Sequence, residues 1–417
     1  MKTPKNLWPI LITAFLLETL CVTYGLYIPS LIGYLSVIHT VSGLVVAWAL
    51  LWTKPSPTHF KLKNFSFAAP NRYRWLLTAM VLVMMIQQFA RWKADIPLDF
   101  HDSDMLPIIQ KMCTRFLSGE RQHVYDIIPE IWGGIQPIYL PAMWMPFTIP
   151  IWLHLDMRWM TVLMFFLVFC FFIWKIDPAK KHASTAMGAT FLLLWWLFAD
   201  AKAGLVPYTE EGVVIFFYVL LVMALHRQNA WLTGLAISMC VLSRYALIGW
   251  VPAYLLFLVY RKQYTNIGKI ITVGAACFLL LVLLPFGWTM IRPILELPAK
   301  YIDFARRVWH DSPHVFSQSL GWAKFFGAQR IEKMHYLLMV LSLVVPTTGM
   351  IIGLELHKRY SIPMQNLPLV LLKVTMVIFY SFIDVPYLYL FYTSSYVSLI
   401  AITYFIMQED EKVTAIT

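Results

Sequence analysis

"IITVGAACFLLLVLLPFGWTMI", residues 270–291, contains no Asp, Glu, Lys, Arg or His. A helix needs about 20 apolar residues to cross the hydrocarbon core of a bilayer, and this run supplies them. Comparable runs lie near 7–28, 31–52, 75–91, 158–174, 184–199, 211–225, 231–243, 245–260, 335–355, 366–383 and 386–407, with this one extending over 267–291. Lipid cannot satisfy exposed backbone groups, and the alternating pattern of a membrane β-barrel is missing. The expectation is an all-α, polytopic membrane bundle of about 12 (11–13) transmembrane helices. Residues 1–417 read as a single integral membrane domain.

The composition agrees: 59% of the chain is hydrophobic, 16% aromatic and only 13% charged. The net charge of +11 sits in short loops between apolar runs, where it orients helices in the membrane and gives no footprint for nucleic acid. Lys54, Lys61, Lys63, Arg72 and Arg74 lie in 53–74 without an acid, which places that loop in the cytoplasm. The loops 92–137 and 292–333 then fall on the outer side. Cys21, Cys113, Cys170, Cys240 and Cys277 are scattered, without metal-ligand spacing, and read as packing residues. The N-terminal run continues without a small-residue cleavage site and reads as an uncleaved first helix. The stretch "PIYLPAMWMPFTIPIWLHL" carries Pro137, Pro141, Pro146 and Pro150, and reads as a broken or partly embedded segment, with a full span through proline kinks as the alternative.

Ionisable groups at membrane depth cost about 2.5 to 3.5 kcal/mol on insertion scales, so their positions carry information. Asp200, Lys202, Glu210, Glu211, Arg244 and Asp384 fall at the outer ends of apolar runs or at a break between them. The outer loop adds Asp95, Asp99, Asp102 and Asp104, followed by Met105, Ile108, Ile109, Met112, Phe116 and Leu117 at helical spacing. This predicts an amphipathic helix ending at Gly119, lying in the outer interface with its apolar face in lipid. Asp104 is either its N-cap, a contribution of about 1 kcal/mol, or a general base at the membrane surface. A divalent cation such as Mg or Mn is the other use for such a cluster.

Arg306, Arg307, His310 and His314 read either as a solvated basic face or as a receptor for phosphate. Arg244 interrupts an apolar run, and it either pairs with Glu210 or Glu211 or serves a ligand.

These elements resemble the type C glycosyltransferases, the membrane enzymes that use polyprenyl-phosphate sugars, and in particular their mannosyltransferase-like group. "DMLPIIQKMCTRFLSGERQHVY" supplies Asp104, Gly119 and Tyr125 in that family's order, and "IYLPAMWMPF" supplies Tyr139, Pro141 and Pro146. "LTGLAISMCVLSRYALIGWVPAYLLFLVYRK" is similar to the family's paired short helices, with Arg244 where a lysine is more usual. "FSQSLGWAKFF", containing Gln318, is similar to an Asn-Gln-Ser-Leu element with Ser317 in place of the asparagine. The resemblance covers roughly residues 75 to 405. It implies a hexosyltransferase of the bacterial inner membrane with its site facing outward. The sugar would pass with inversion from a polyprenyl-phosphate donor to a lipid or glycan acceptor. Asp104 or Asp102 would be the base, and Arg244, Glu210, Glu211, Arg306, Arg307, His310, His314, Gln318 and Tyr139 would line the substrate. A transporter or flippase of lipid-linked or small polar substrates is the rival of another class, and a noncatalytic assembly subunit a further one.

Overall fold

The computed structural model describes residues 7–53, 72–175, 181–200, 203–288, 291–360 and 362–413. Among them there is no strand, and one isolated bridge joins Ile128 to Ile135. Lys54, Lys61 and Lys63, expected to mark the cytoplasmic side, lie outside the described residues, as do Lys180 and Lys202.

The chain opens with α1 (Leu7–Tyr24) and α2 (Ile32–Trp52), which pack along each other, followed by α3 (Arg72–Asp95). A loop leads into α4 (Met105–Leu117). The proline-rich stretch is broken, as its sequence predicts, into α5 (Pro141–Trp144), a 3-10 turn and α6 (Thr148–Trp152). Next come α7 (Trp159–Lys175), α8 (Lys181–Ala199), α9 (Glu211–Arg227), α10 (Ala230–Val241), α11 (Trp250–Tyr260) and α12 (Tyr264–Phe278). A π-helical turn at Leu279–Leu283 joins α12 to α13 (Leu284–Phe286), and α14 (Ile291–Asp311) follows. The last elements are α15 (His314–Ser317), α16 (Ala323–Phe326), α17 (Ile331–Tyr360), α18 (Leu367–Ser381) and α19 (Tyr392–Val413).

Each predicted apolar run coincides with helix, but the lengths do not confirm the expected count of about 12 crossings. Six stretches among the described residues are long and apolar enough to cross a membrane: Leu7–Tyr24, Pro29–Trp52, Arg74–Asp95, Tyr264–Phe286, Ala328–Tyr360 and Met364–Ser381. The other apolar helices are shorter. α10, with 12 residues, rises only about 18 Å, against a hydrocarbon core of about 30 Å.

The polarity of these helices is inverted relative to a water-soluble bundle. In α1, Glu18 is fully buried while Leu17 and Leu20 are 43% and 42% exposed. Along α17, Val340, Leu343 and Ile351 face outward. Apolar side chains on the outside and charge on the inside are what a lipid solvent favours.

The amphipathic helix forms where its period predicts, but its surroundings differ from expectation. Leu106, Ile109, Met112 and Cys113 of α4 are completely buried, packed on α5, α6 and the turn between them, with Cys113 Sγ 3.6 Å from the Trp144 carbonyl. The apolar face is covered by the protein's own broken segment and not by lipid. Four prolines break this stretch into short helical pieces, and those pieces supply the cover.

Candidate functional site

Arg244 sits where α10 stops. The Arg244 N–H returns to the Cys240 carbonyl at 2.9 Å, and the residue then turns to an extended conformation before the 3-10 turn Tyr245–Leu247. This break points the guanidinium at the start of α9. Its Nη1 and Nη2 donate to Glu211 Oε1 and Oε2 at 2.8 and 2.5 Å, a two-pronged ion pair, and Nη2 also reaches Glu210 Oε1 at 3.3 Å. Tyr380 Oη accepts from Nη1 at 3.2 Å, and the Thr393 hydroxyl donates to Glu211 Oε1. One guanidinium thus answers two carboxylates. Burial pushes Glu210, in the turn ahead of α9, up to about 7.

Asp104 precedes α4 but does not cap it, because its side chain accepts no hydrogen bond from the first turn. The capping role that its position suggests is therefore unfilled. The carboxylate is half-buried, and burial raises its pKa against a compensating hydrogen bond from the Trp132 side chain. The Ser103 hydroxyl donates to the Tyr208 carbonyl at 3.0 Å, which fixes the aspartate loop to the turn leading into Glu210.

A cavity of about 130 Å³ lies between these elements. Asp104, Tyr139, Glu210 and Arg244 line it, so four of the residues expected to act on or line the substrate meet there, although they come from distant parts of the chain. Its remaining wall comes from the α14 residues Leu297, Tyr301 and Phe304, the α17 residues His335 and Leu338, and Asp384, Tyr387 and Tyr389 ahead of α19. Tyr245 Oη donates to the Ile294 carbonyl at 2.9 Å and holds α14 against the rest. Behind Tyr139, the Tyr125 hydroxyl donates to its carbonyl at 2.9 Å and accepts from Trp144 Nε1 at 3.2 Å.

Other residues expected at the site are placed elsewhere. Asp102 is exposed and outside the cavity lining. Glu211 is buried behind Arg244. Arg306 is paired with Asp303 at 2.9 Å and with Glu332, and His310 lies 2.7 Å from Asp311. Arg307 donates to the Gly134 carbonyl at 2.6 Å, joining the two long loops. His314 and Gln318 are exposed and do not line the cavity. Arg306, Arg307 and His310 therefore face outward, with neighbouring carboxylates and a backbone carbonyl as their partners. No three His, Cys, Asp or Glu side chains among the described residues form a group that could hold a metal ion, so the aspartate cluster is not a ready cage for Mg or Mn.

Two features escaped the sequence reading. His335 Nδ1 lies 2.6 Å from Asp384 Oδ2 at the cavity wall, although the sequence offers only a lone histidine at the edge of an apolar run. Deep between helices, Lys373 on α18 donates to Glu18 on α1 and, at 2.7 Å, to Ser394 Oγ on α19. Ser398 Oγ donates to the other Glu18 oxygen at 2.9 Å. Both ends of this pair were visible as charges inside apolar runs. The five cysteines are free. No protein-family model, curated protein or solved structure matches the chain.

Proposed function

We propose that the chain is a membrane glycosyltransferase that moves a hexose from a polyprenyl-phosphate donor to a lipid or glycan acceptor. The observation that carries this reading is a carboxylate free of any capping duty, Asp104, lining one cavity with the buried Arg244–Glu210 pair. In the reaction, Asp104 takes the proton of an acceptor hydroxyl as its oxygen bonds to the anomeric carbon. The bond from that carbon to the phosphate oxygen breaks, its electron pair leaves with the phosphate, and the single displacement inverts the centre. Negative charge grows on the departing phosphate and requires a preorganised cation. Arg244, the guanidinium that lines the cavity, is the cation placed to meet it. A partly buried base with a raised pKa suits proton abstraction near neutral pH. Location in a bacterial inner membrane, with the cavity facing outward, belongs to the same proposal.

The test is purified protein in liposomes, given polyprenyl-phosphate sugars and candidate acceptors, with Asp104→Asn and Asp102→Asn beside wild type. Transfer that survives Asp102→Asn and is lost in Asp104→Asn is expected. Equal transfer by Asp104→Asn and wild type would remove the base assignment.

A second reading rests on a different observation. The fully buried Glu18–Lys373 pair is the kind of intramembrane charge that marks ion and substrate pathways in transporters. A flux assay in the same liposomes discriminates the two, since a transporter moves substrate without forming a glycosidic bond.

A further inference from the structure

Glu210 Oε2 and Asp384 Oδ1 are buried and have no hydrogen-bond partner among the described residues. Both residues are 1% exposed, and both line the cavity. The other oxygen of each is held, Glu210 Oε1 by Arg244 and Asp384 Oδ2 by His335. Burying an acceptor without a donor is costly, so a ligand seated here has a defined chemistry to supply. The Arg244 and His335 groups that could have answered these oxygens are already engaged. An anion such as phosphate would bring more acceptors to a place short of donors. Hydroxyl groups would bring donors. A cavity of about 130 Å³ is roughly ten times the space one water needs, which suits a head group. The rings of Tyr387 and Tyr389, 5.7 Å apart and nearly parallel, add apolar faces beside the carboxylates.

We propose that Glu210 and Asp384, flanked by Tyr387 and Tyr389, form the subsite that accepts hydrogen bonds from the hydroxyls of the sugar ring. The phosphate of the lipid carrier lies outside this pair of oxygens. This rests on the glycosyl-transfer reading and goes further, because it names the residues that tell one sugar from another.

The experiment measures binding in detergent of a short-chain prenyl-phosphate mannose, its monodeoxy analogues, the corresponding glucose compound, and prenyl phosphate without sugar. Wild type is expected to favour at least one sugar-bearing lipid over bare prenyl phosphate, and to lose about tenfold when a hydroxyl read by either carboxylate is deleted. Asp384→Asn and Glu210→Gln are expected to lose that discrimination, and Asp384→Asn, which leaves the Arg244 pair intact, to hold bare prenyl phosphate within about twofold of wild type. Wild type that binds all the lipids equally would overturn the subsite and leave lipid-phosphate recognition standing, with no variant needed. Full discrimination by both variants would also overturn it. Wild type that binds none of these lipids would remove the subsite and the transferase reading together.

Discussion

The hydroxyl of Ser103 donates to the carbonyl of Tyr208 across 3.0 Å, binding the aspartate loop to the turn that presents Glu210. One neutral hydrogen bond is worth about 1 kcal/mol to stability, so Ser103→Ala is expected to melt close to wild type. Its effect on chemistry is expected to be larger, since the neighbouring carboxylate loses its placement: a fall in kcat of about tenfold, read in the liposome assay.

Asp104 carries a pH prediction. Burial raises its pKa in the folded chain, so the ionised form is disfavoured there. The group favours the fold below its ordinary pKa, and that contribution is lost as pH rises through the raised folded value. Asp104→Asn is therefore expected to be at least as stable as wild type at neutral pH while losing transfer. Wild-type transfer is expected to rise with pH through a midpoint above the ordinary aspartate value. Melting curves and rates across pH check both halves.

Arg244 and Glu211 are buried together, and removing one strands the other. Breaking such a pair costs about 3 to 5 kcal/mol, so Arg244→Met and Glu211→Gln are each expected to destabilise strongly. The double variant Arg244→Met with Glu211→Gln is expected to recover much of the loss. Thermal melts of the four proteins in one detergent give the coupling directly.

Glu18 and Lys373 invite the same cycle with a different readout. Lys373→Met alone is expected to loosen α1 from α18 and α19, and Glu18→Gln with Lys373→Met to restore packing. Proteolysis of the N-terminal helix pair reports this, and transfer by the double variant is expected to stay near wild type. Loss of transfer in a well-folded double variant would instead move the chemistry towards the transporter reading.

Helix positions were legible in the chain because each apolar run carries its own signal, and so was Arg244, a charge standing between two such runs. The covering of α4 was not, since Met112 meets a segment some thirty residues away whose prolines predict only interruption. Arg306 and His310 read either as a solvated face or as phosphate receptors until Asp303, Glu332 and Asp311 are seen beside them. The Asp384–His335 contact spans 49 residues, and no local spacing announces it. Asp102 and Asp104 look equivalent in sequence, and only burial separates them.

Gly249, ahead of α11, lies so close to α17 that a Cβ placed there would come within 1.8 Å of the Ser342 carbonyl. The same helix carries His335 and Leu338 into the cavity wall. A methyl group at 249 would act as a wedge, prising α17 outward and widening the chamber from behind. The width of the chamber thus depends on a joint that lies outside its lining.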